Sequence, residues 1–352
     1  MRKINILQLS TGLGVGGAEK VILELSKSIN NQKFDNKVIG LSNSLGLNYR
    51  FKEEEIKTTI LNEKKSLVGF KNMISFVNKF VKDNKIDIIH AHMTHAMFVA
   101  VAVKLFNPHI KIVFTSHSVN VGSKFREMAI FLLKPFRNAD IIFSKEQLGA
   151  KYKSNYFIIA NGIDTKAYQL NCKKSKKFTF LAIGSLREPK NHIHLIQCAA
   201  LLRNKFQFQI LIVGEGPLRN TLEEAIEKYQ IQSYIKLLGL RSDIPELLNT
   251  SHCFVMPSLW EGMPISILEA GAANLPIIST PAGSIPSVLN KENAFLANLN
   301  NFHTKMKYVL THYYVALRKA KKLEKRVFEN YDIKAMYKKH EELYILLLNN
   351  KV

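Results

Sequence analysis

Apolar runs of strand length recur along this chain in alternation with residues at helical spacing, and the rhythm runs twice. INILQLS (4–10) leads into a glycine loop and the amphipathic AEKVILELSKSI; NKVIGLS (36–42), DIIHAH (87–92) and KIVFTSH (111–117) follow. After the lysine-rich NCKKSKK (171–177) the series restarts with FTFLAIGS, FQILIVGEG, YIKLLGL, HCFVMPS and LPIISTPAG. Strands that all run parallel need helical crossovers, and ligands gather at the carboxyl ends of such strands. The pattern predicts an α/β chain of two Rossmann-like, doubly wound parallel-sheet domains facing a central cleft. Its 352 residues are too many for one ordinary core. The domains are expected at 1–170 and 171–330.

Charge narrows the possible partners. Fifty Lys and Arg against 28 Asp and Glu give a formal charge of +22, which attracts any polyanion. Both halves are basic, however, with no basic tail, zinc-finger spacing, RGG tract or aromatic RNP-like strand, so no nucleic-acid partner is expected. An anionic membrane surface or a phosphate-bearing substrate fits the same charge. Cys172, Cys198 and Cys253 are odd in number and scattered, which leaves neither a disulfide framework nor a zinc knuckle. No stretch approaches the roughly 18 apolar residues of a membrane span, and the start runs from a short strand into glycines instead of a cleavage site. The expected location is cytoplasmic.

Gly12, Gly14 and Gly17 satisfy G-x-G-x-x-G between a strand and a helix. A nicotinamide site would also want an acid at the end of the second strand, where the chain reads Leu41-Ser42-Asn43. What remains is a loop whose backbone N–H groups and helix start can face a phosphate or a sugar hydroxyl, or else a tight turn with no ligand. The most informative stretch is PSLWEGMPISILEAG (257–271), in which seven residues separate Glu261 from Glu269 and Pro264 opens a helix. A carboxylate close to a helix start stays ionised and can accept hydrogen bonds from two neighbouring sugar hydroxyls. No D-x-D triplet occurs, so the common metal–diphosphate clamp is missing. No metal and no cofactor is expected.

In this context the chain resembles the large retaining glycosyltransferase family of the GT-B fold, usually numbered family four. The matching pieces are GVGGAEK (14–20), SHS around His117, NGID (161–164), GSLREPKNH (184–192), VGEGPLR (213–219), LGLRSDIPELL (238–248) and PSLWEGMPISILEA (257–270). The resemblance implies that Glu261 contacts the donor sugar, Glu269 the nucleotide ribose, and Lys190 the diphosphate. It extends the implied donor site to Gly16, Gly17, Leu240, Arg241, Gly262, Met263, Pro264 and Ile265. Ser185 stands where the family usually has an arginine, and Arg187, two residues on, is the candidate replacement. His117 is implied to border the donor sugar and counts with Glu261 as catalytic. The acceptor side is expected to involve His92, His95 and Asn120. In the resembling fold, a terminal helix at 331–352 returns to the N-terminal domain.

These readings together describe a nucleotide-sugar-dependent hexosyl- or N-acetylhexosaminyltransferase, with UDP-sugar favoured over GDP-mannose. Its partners would be the nucleotide-sugar donor, a glycan or lipid-linked acceptor, and an anionic membrane surface on the cytoplasmic side. For that surface the sequence offers SKFREMAIFLLKPFRNAD (123–140), in which Lys124, Arg126, Lys134 and Arg137 flank apolar residues. An ordinary packed helix with a basic outer face is the alternative. Two other functions stay open: a GT-B nucleotide-sugar epimerase, and a non-catalytic nucleotide-sugar-binding partner.

Overall fold

The computed structural model describes residues 2–14, 16–29, 33–43, 46–63, 66–117, 123–149, 152–153 and 156–349. The chain divides into two compact units, Met1–Asn161 with Ile333–Val352, and Gly162–Asp332. Residues 162–170 lie in the second unit by this division. Ile163 bridges to Asp332, the Thr165 hydroxyl donates to the Asp332 carboxylate at 2.8 Å, and the Tyr168 hydroxyl reaches Glu269.

The first unit runs β1 (Ile4–Ser10), α1 (Gly17–Ile29), β2 (Phe34–Gly40), α2 (Asn48–Glu53), β3 (Thr58–Ile60), α3 (Leu67–Asp83), β4 (Ile88–His92), α4 (Thr94–Phe106), β5 (Lys111–Thr115), α5 (Lys124–Leu132), β6 (Ala139–Ile142) and β7 (Tyr156–Ile158). Its strands form one parallel sheet in the order β3-β2-β1-β4-β5-β6-β7. Alternation along each strand gives the sheet two unlike faces. Leu7, Leu9, Ile89, Ala91, Ile112 and Phe114 join one apolar cluster with α3 and α4. Gln8, Asn36, His90, His92 and Thr115 are buried too, and they make the middle of the opposite face polar.

The second unit runs β8 (Thr179–Ile183), α6 (His192–Leu202), β9 (Gln209–Val213), α7 (Arg219–Lys228), β10 (Ile235–Gly239), α8 (Ile244–Thr250), β11 (Cys253–Met256), α9 (Ile265–Ala272), β12 (Ile277–Ser279), α10 (Ile285–Val288), β13 (Phe295–Leu296), α11 (Phe302–Thr311) and α12 (Tyr313–Asn330). The sheet order is β10-β9-β8-β11-β12-β13, again parallel throughout. Gly271 lets α12 lie close across α9, since a Cβ there would stand 2.8 Å from a Val327 methyl. Both sheets reverse their order at one point, between β1 and β4 and between β8 and β11, and an α/β sheet binds ligands beside such a point.

The chain then returns to the first unit as α13 (Ile333–Leu348), which packs against α1. Its buried residues Met336, His340, Leu343, Tyr344 and Leu347 fall at helical spacing. Tyr344 and His340 close over the polar face of the sheet. Replacing buried Leu343 by Ala should therefore destabilise the first unit by about 2–5 kcal/mol, the usual cost of such a cavity. Urea unfolding followed by circular dichroism should register the loss. The fluorescence of Trp260, the chain's single tryptophan and a residue of the second unit, should keep its transition.

Candidate active site

In the second unit the segments after β8 and β11 are stitched together. The Leu259 N–H donates to the Pro189 carbonyl at 2.8 Å, and the Asn191 amide donates to the Pro257 carbonyl at 3.2 Å, with Asn191 itself in the left-handed region. This brings Lys190 Nζ to 2.6 Å from Glu261 Oε1. The Ser258 hydroxyl donates to the same oxygen at 2.7 Å, and Glu261 is only 8% exposed. Glu269, one turn into α9, is 3% exposed and accepts from the Tyr168 hydroxyl at 2.8 Å.

Two glycines are required by close backbone approach. A Cβ on Gly214 would lie 2.0 Å from the Gly184 carbonyl oxygen, and one on Gly283 would lie 1.8 Å from that of Glu261. Both have positive φ, +142° and +57°. Gly214 thus seats the segment that carries Lys190, and Gly283 the one that carries Glu261. Gly262, Met263, Pro264 and Ile265 are buried between Glu261 and α9. Arg187 is exposed, with no ion pair among the described residues, and Ser185 is half-buried. Arg241, exposed like Leu240, is clamped at both ends of its guanidinium by Asp243, with Nε 2.8 Å from one carboxylate oxygen. An anion at Arg241 would have to displace that partner.

In the first unit, Gly16 and Gly17 stand exposed at the start of α1, and the Glu19 carboxylate fills the space a Gly16 side chain would need. His117 lies two residues beyond β5 and is half-buried. Its Nε2 is 3.0 Å from His92 Nδ1, and His92 Nε2 is 2.8 Å from Gln8 Oε1. His92, expected on the acceptor side, is therefore 1% exposed with both nitrogens occupied inside the unit. His95 sits half-buried in the first turn of α4, and Asn120 lies outside the described residues. Ser258, Tyr168 and Gln8 were not among the expected site residues. Ser258 carries a signal, since it shares the PSLWEG segment with Glu261; the other two meet their partners only through the fold.

Residues 15–167 match the family described as Glycosyltransferase Family 4, and residues 166–327 the one described as Glycosyl transferases group 1. The chain belongs to glycosyltransferase family 4. It is 26% identical to an Escherichia coli UDP-Gal:alpha-D-GlcNAc-diphosphoundecaprenol alpha-1,3-galactosyltransferase, over 99% of this chain and 98% of that one. It is 30% identical to a glycosyltransferase of Methanocaldococcus jannaschii, but over 59% of each chain. Anabaena HepE, solved in complex with UDP-glucose, shares the fold with a TM-score of 0.86 at 18% identity, over 97% of this chain and 100% of that one. This family-4 chain has the GT-B fold, with one parallel sheet in each half.

Among the described residues of this glycosyltransferase, no group of His, Cys, Asp and Glu is arranged to hold a metal ion, and no helix is long and apolar enough to cross a membrane. His90, His92 and His340 of the first unit are buried, and half-buried His117 lies beside them. Loss of water pushes His117 down to about 3 and His340 to about 4, and holds His90 and His92 well below the ordinary value. His192 in the second unit is pushed down to about 4 by the same cause. The unfolded chain binds protons at these groups below about pH 6.5 and the folded chain does not, so stability falls as the pH drops toward 4. One such group loses about 2 kcal/mol between pH 6.5 and 5. The urea midpoint should fall accordingly, and by less in His340→Leu. A midpoint independent of pH would refute the neutral assignment.

Proposed function

We propose that this chain is a retaining glycosyltransferase that moves a hexose or N-acetylhexosamine from a nucleotide sugar to a glycan acceptor, without a metal. The observation that carries this reading is the contact of Lys190 with Glu261 beside the strand-order reversal of the second sheet. A departing nucleoside diphosphate needs fixed positive charge, which Lys190 supplies, with exposed Arg187 as a second cation in place of the arginine absent at Ser185. Glu261, released from Lys190, keeps Ser258 and accepts from hydroxyls of the transferred sugar. Glu269 accepts from the ribose. The bond from the anomeric carbon to the diphosphate oxygen breaks as a new bond forms on the same face. The acceptor hydroxyl proton passes to the leaving diphosphate, and neither glutamate attacks. A UDP-sugar is favoured over GDP-mannose: HepE was solved with UDP-glucose, and the E. coli relative is named for UDP-Gal.

Transfer assays against UDP-, GDP- and ADP-sugars test the reading. Turnover should persist in EDTA. Glu261→Gln should lower kcat by about 10²–10³-fold, the scale of one electrostatic contact made in the transition state. Glu269→Ala should weaken nucleotide-sugar binding about tenfold or more with a smaller effect on kcat, since a hydrogen bond to a charged group contributes about 1.5–3 kcal/mol. Equal, unchanged turnover by both variants would sink the assignment. Interconversion of the free nucleotide sugar with no acceptor present would identify an epimerase. Donor binding with no turnover would identify a binding partner.

The acceptor in this reading is lipid-linked and met at the inner face of the cytoplasmic membrane. The E. coli relative's name specifies a diphosphoundecaprenol acceptor. On α5, Phe125 is 73% exposed, and Met128, Phe131 and Leu132 are exposed beside it, a face open to an apolar phase. Lys124 and Arg126 share the helix, and Lys134 Nζ lies 5.0 Å from the centre of the Phe131 ring. Arg137, expected on the basic flank, is instead fully buried: it pairs with Asp140 at 2.8 Å and donates to the Ile130 carbonyl. Lys124, Arg126 and Lys134 changed together to Gln should weaken binding to anionic vesicles about 100-fold at low salt, at about 1 kcal/mol per charge. Donor binding should persist. Cosedimentation as strong as the parent's would remove the membrane from the reading.

A further inference from the structure

The polar face of the first sheet contains a directed chain of hydrogen bonds that ends on His117. We propose that Gln8 and His92 are positioning residues that hold His117 as its Nε2–H tautomer and so present a bare Nδ1 to a neutral hydroxyl of the substrate. The inference rests on the transferase reading for the substrate, but not for the tautomer.

The direction follows from Gln8. Its side-chain nitrogen is turned to the Asn36 amide oxygen at 3.1 Å and to the Tyr344 hydroxyl at 3.4 Å, so its carbonyl oxygen faces His92. A carbonyl only accepts, hence His92 Nε2 carries the proton across the 2.8 Å contact. A neutral imidazole has one N–H, which leaves His92 Nδ1 as an acceptor and obliges His117 Nε2 to donate across 3.0 Å. His117 Nδ1 is then unprotonated, and no partner among the described residues takes it up.

A second branch agrees. The Tyr344 hydroxyl accepts from Gln8 and donates to His90 Nδ1 at 2.7 Å, and His90 Nε2 donates to the Thr115 hydroxyl at 2.8 Å. The His90 and His92 rings lie 4.0 Å apart, so each buttresses the other. If the Gln8 amide were turned over, every N–H in the first chain would reverse and His117 would present a donor. The Asn36 amide nitrogen has no partner in the present arrangement, which makes that direction the quantity to measure.

The tautomer decides what His117 can hold. A bare nitrogen accepts from a sugar hydroxyl and repels phosphate or carboxylate oxygens, whereas an N–H would attract the anions. The ring therefore selects a hydroxyl over the diphosphate.

Histidine-labelled protein, with His117 assigned by a His117→Gln variant, permits the test by long-range nitrogen–proton NMR without any substrate. The expected spectrum shows the Nε2–H form in the wild type and a mixture of forms in Gln8→Leu. An Nδ1–H form in the wild type overturns the proposal, and needs no variant to fold. In transfer assays Gln8→Leu should lower kcat about tenfold or more with donor KM nearly unchanged. Gln8→Glu, which keeps an acceptor for His92, should recover most of that loss. Equal kcat in the two variants also overturns it. If the wild type transfers no sugar at all, the transferase reading fails, while the spectrum still decides the tautomer.

Discussion

Parallel pairing sends every connection from the carboxyl end of one strand back to the amino end of the next, so the segments that leave the strands collect along one edge of each sheet. The candidate chemistry depends on this constraint. In the second unit β8 lies beside β11, and the segments that follow them bring Lys190 to Glu261 across 71 positions of sequence. In the first unit β1, β4 and β5 are neighbours, and Gln8, His92 and His117 fall in line across or just beyond them. The backbone approach that makes such neighbours possible is what excludes side chains at Gly214 and Gly283.

The two faces of the first sheet divide the work. Leu7, Ile89, Ile112 and Phe114 bury apolar area against α3 and α4, the non-directional contribution to stability. The other face buries two amides, two imidazoles and hydroxyls, and a buried polar group left unpaired costs about 1–3 kcal/mol. Pairing them fixes ring orientation, which an apolar core cannot do. That α13, from the far end of the chain, supplies Tyr344 to this face means the last helix helps to set the site of the first unit.

The central strands were legible because parallel strands buried on both faces read as apolar runs, and β1, β4, β8, β9 and β11 fall within the expected segments. Three of the four edges were not: β3, β7 and β13 are two or three residues long, too short for a pattern, whereas edge strand β10 falls within YIKLLGL. Glu261, Glu269 and Lys190 could be named as candidates because each belongs to a local segment whose resemblance to a family could be seen. Tyr168 was not, since it meets Glu269 from 101 residues away, and neither was Gln8, 84 residues from His92. Arg137 misled for a related reason. Beside exposed Phe131 and Leu132 its charge suggests a surface, yet Asp140, three residues on, draws it into the interior.

Lys190 and Glu261 are each other's partners, and on the proposed reading that determines what a ligand must bring. A diphosphate alone would draw the ammonium away and leave Glu261, 8% exposed, with Ser258 as its remaining hydrogen-bond donor. Two anions would then face each other in a water-poor site, where charges are poorly screened. A nucleotide sugar removes the difficulty on the proposed reading, because its hydroxyls replace the donor that Lys190 withdraws. On the same reading the exchange would place the cation at the leaving oxygen and the carboxylate at the transferred ring. On that reading the contact of Lys190 with Glu261 becomes a preference for the intact donor over the nucleoside diphosphate alone.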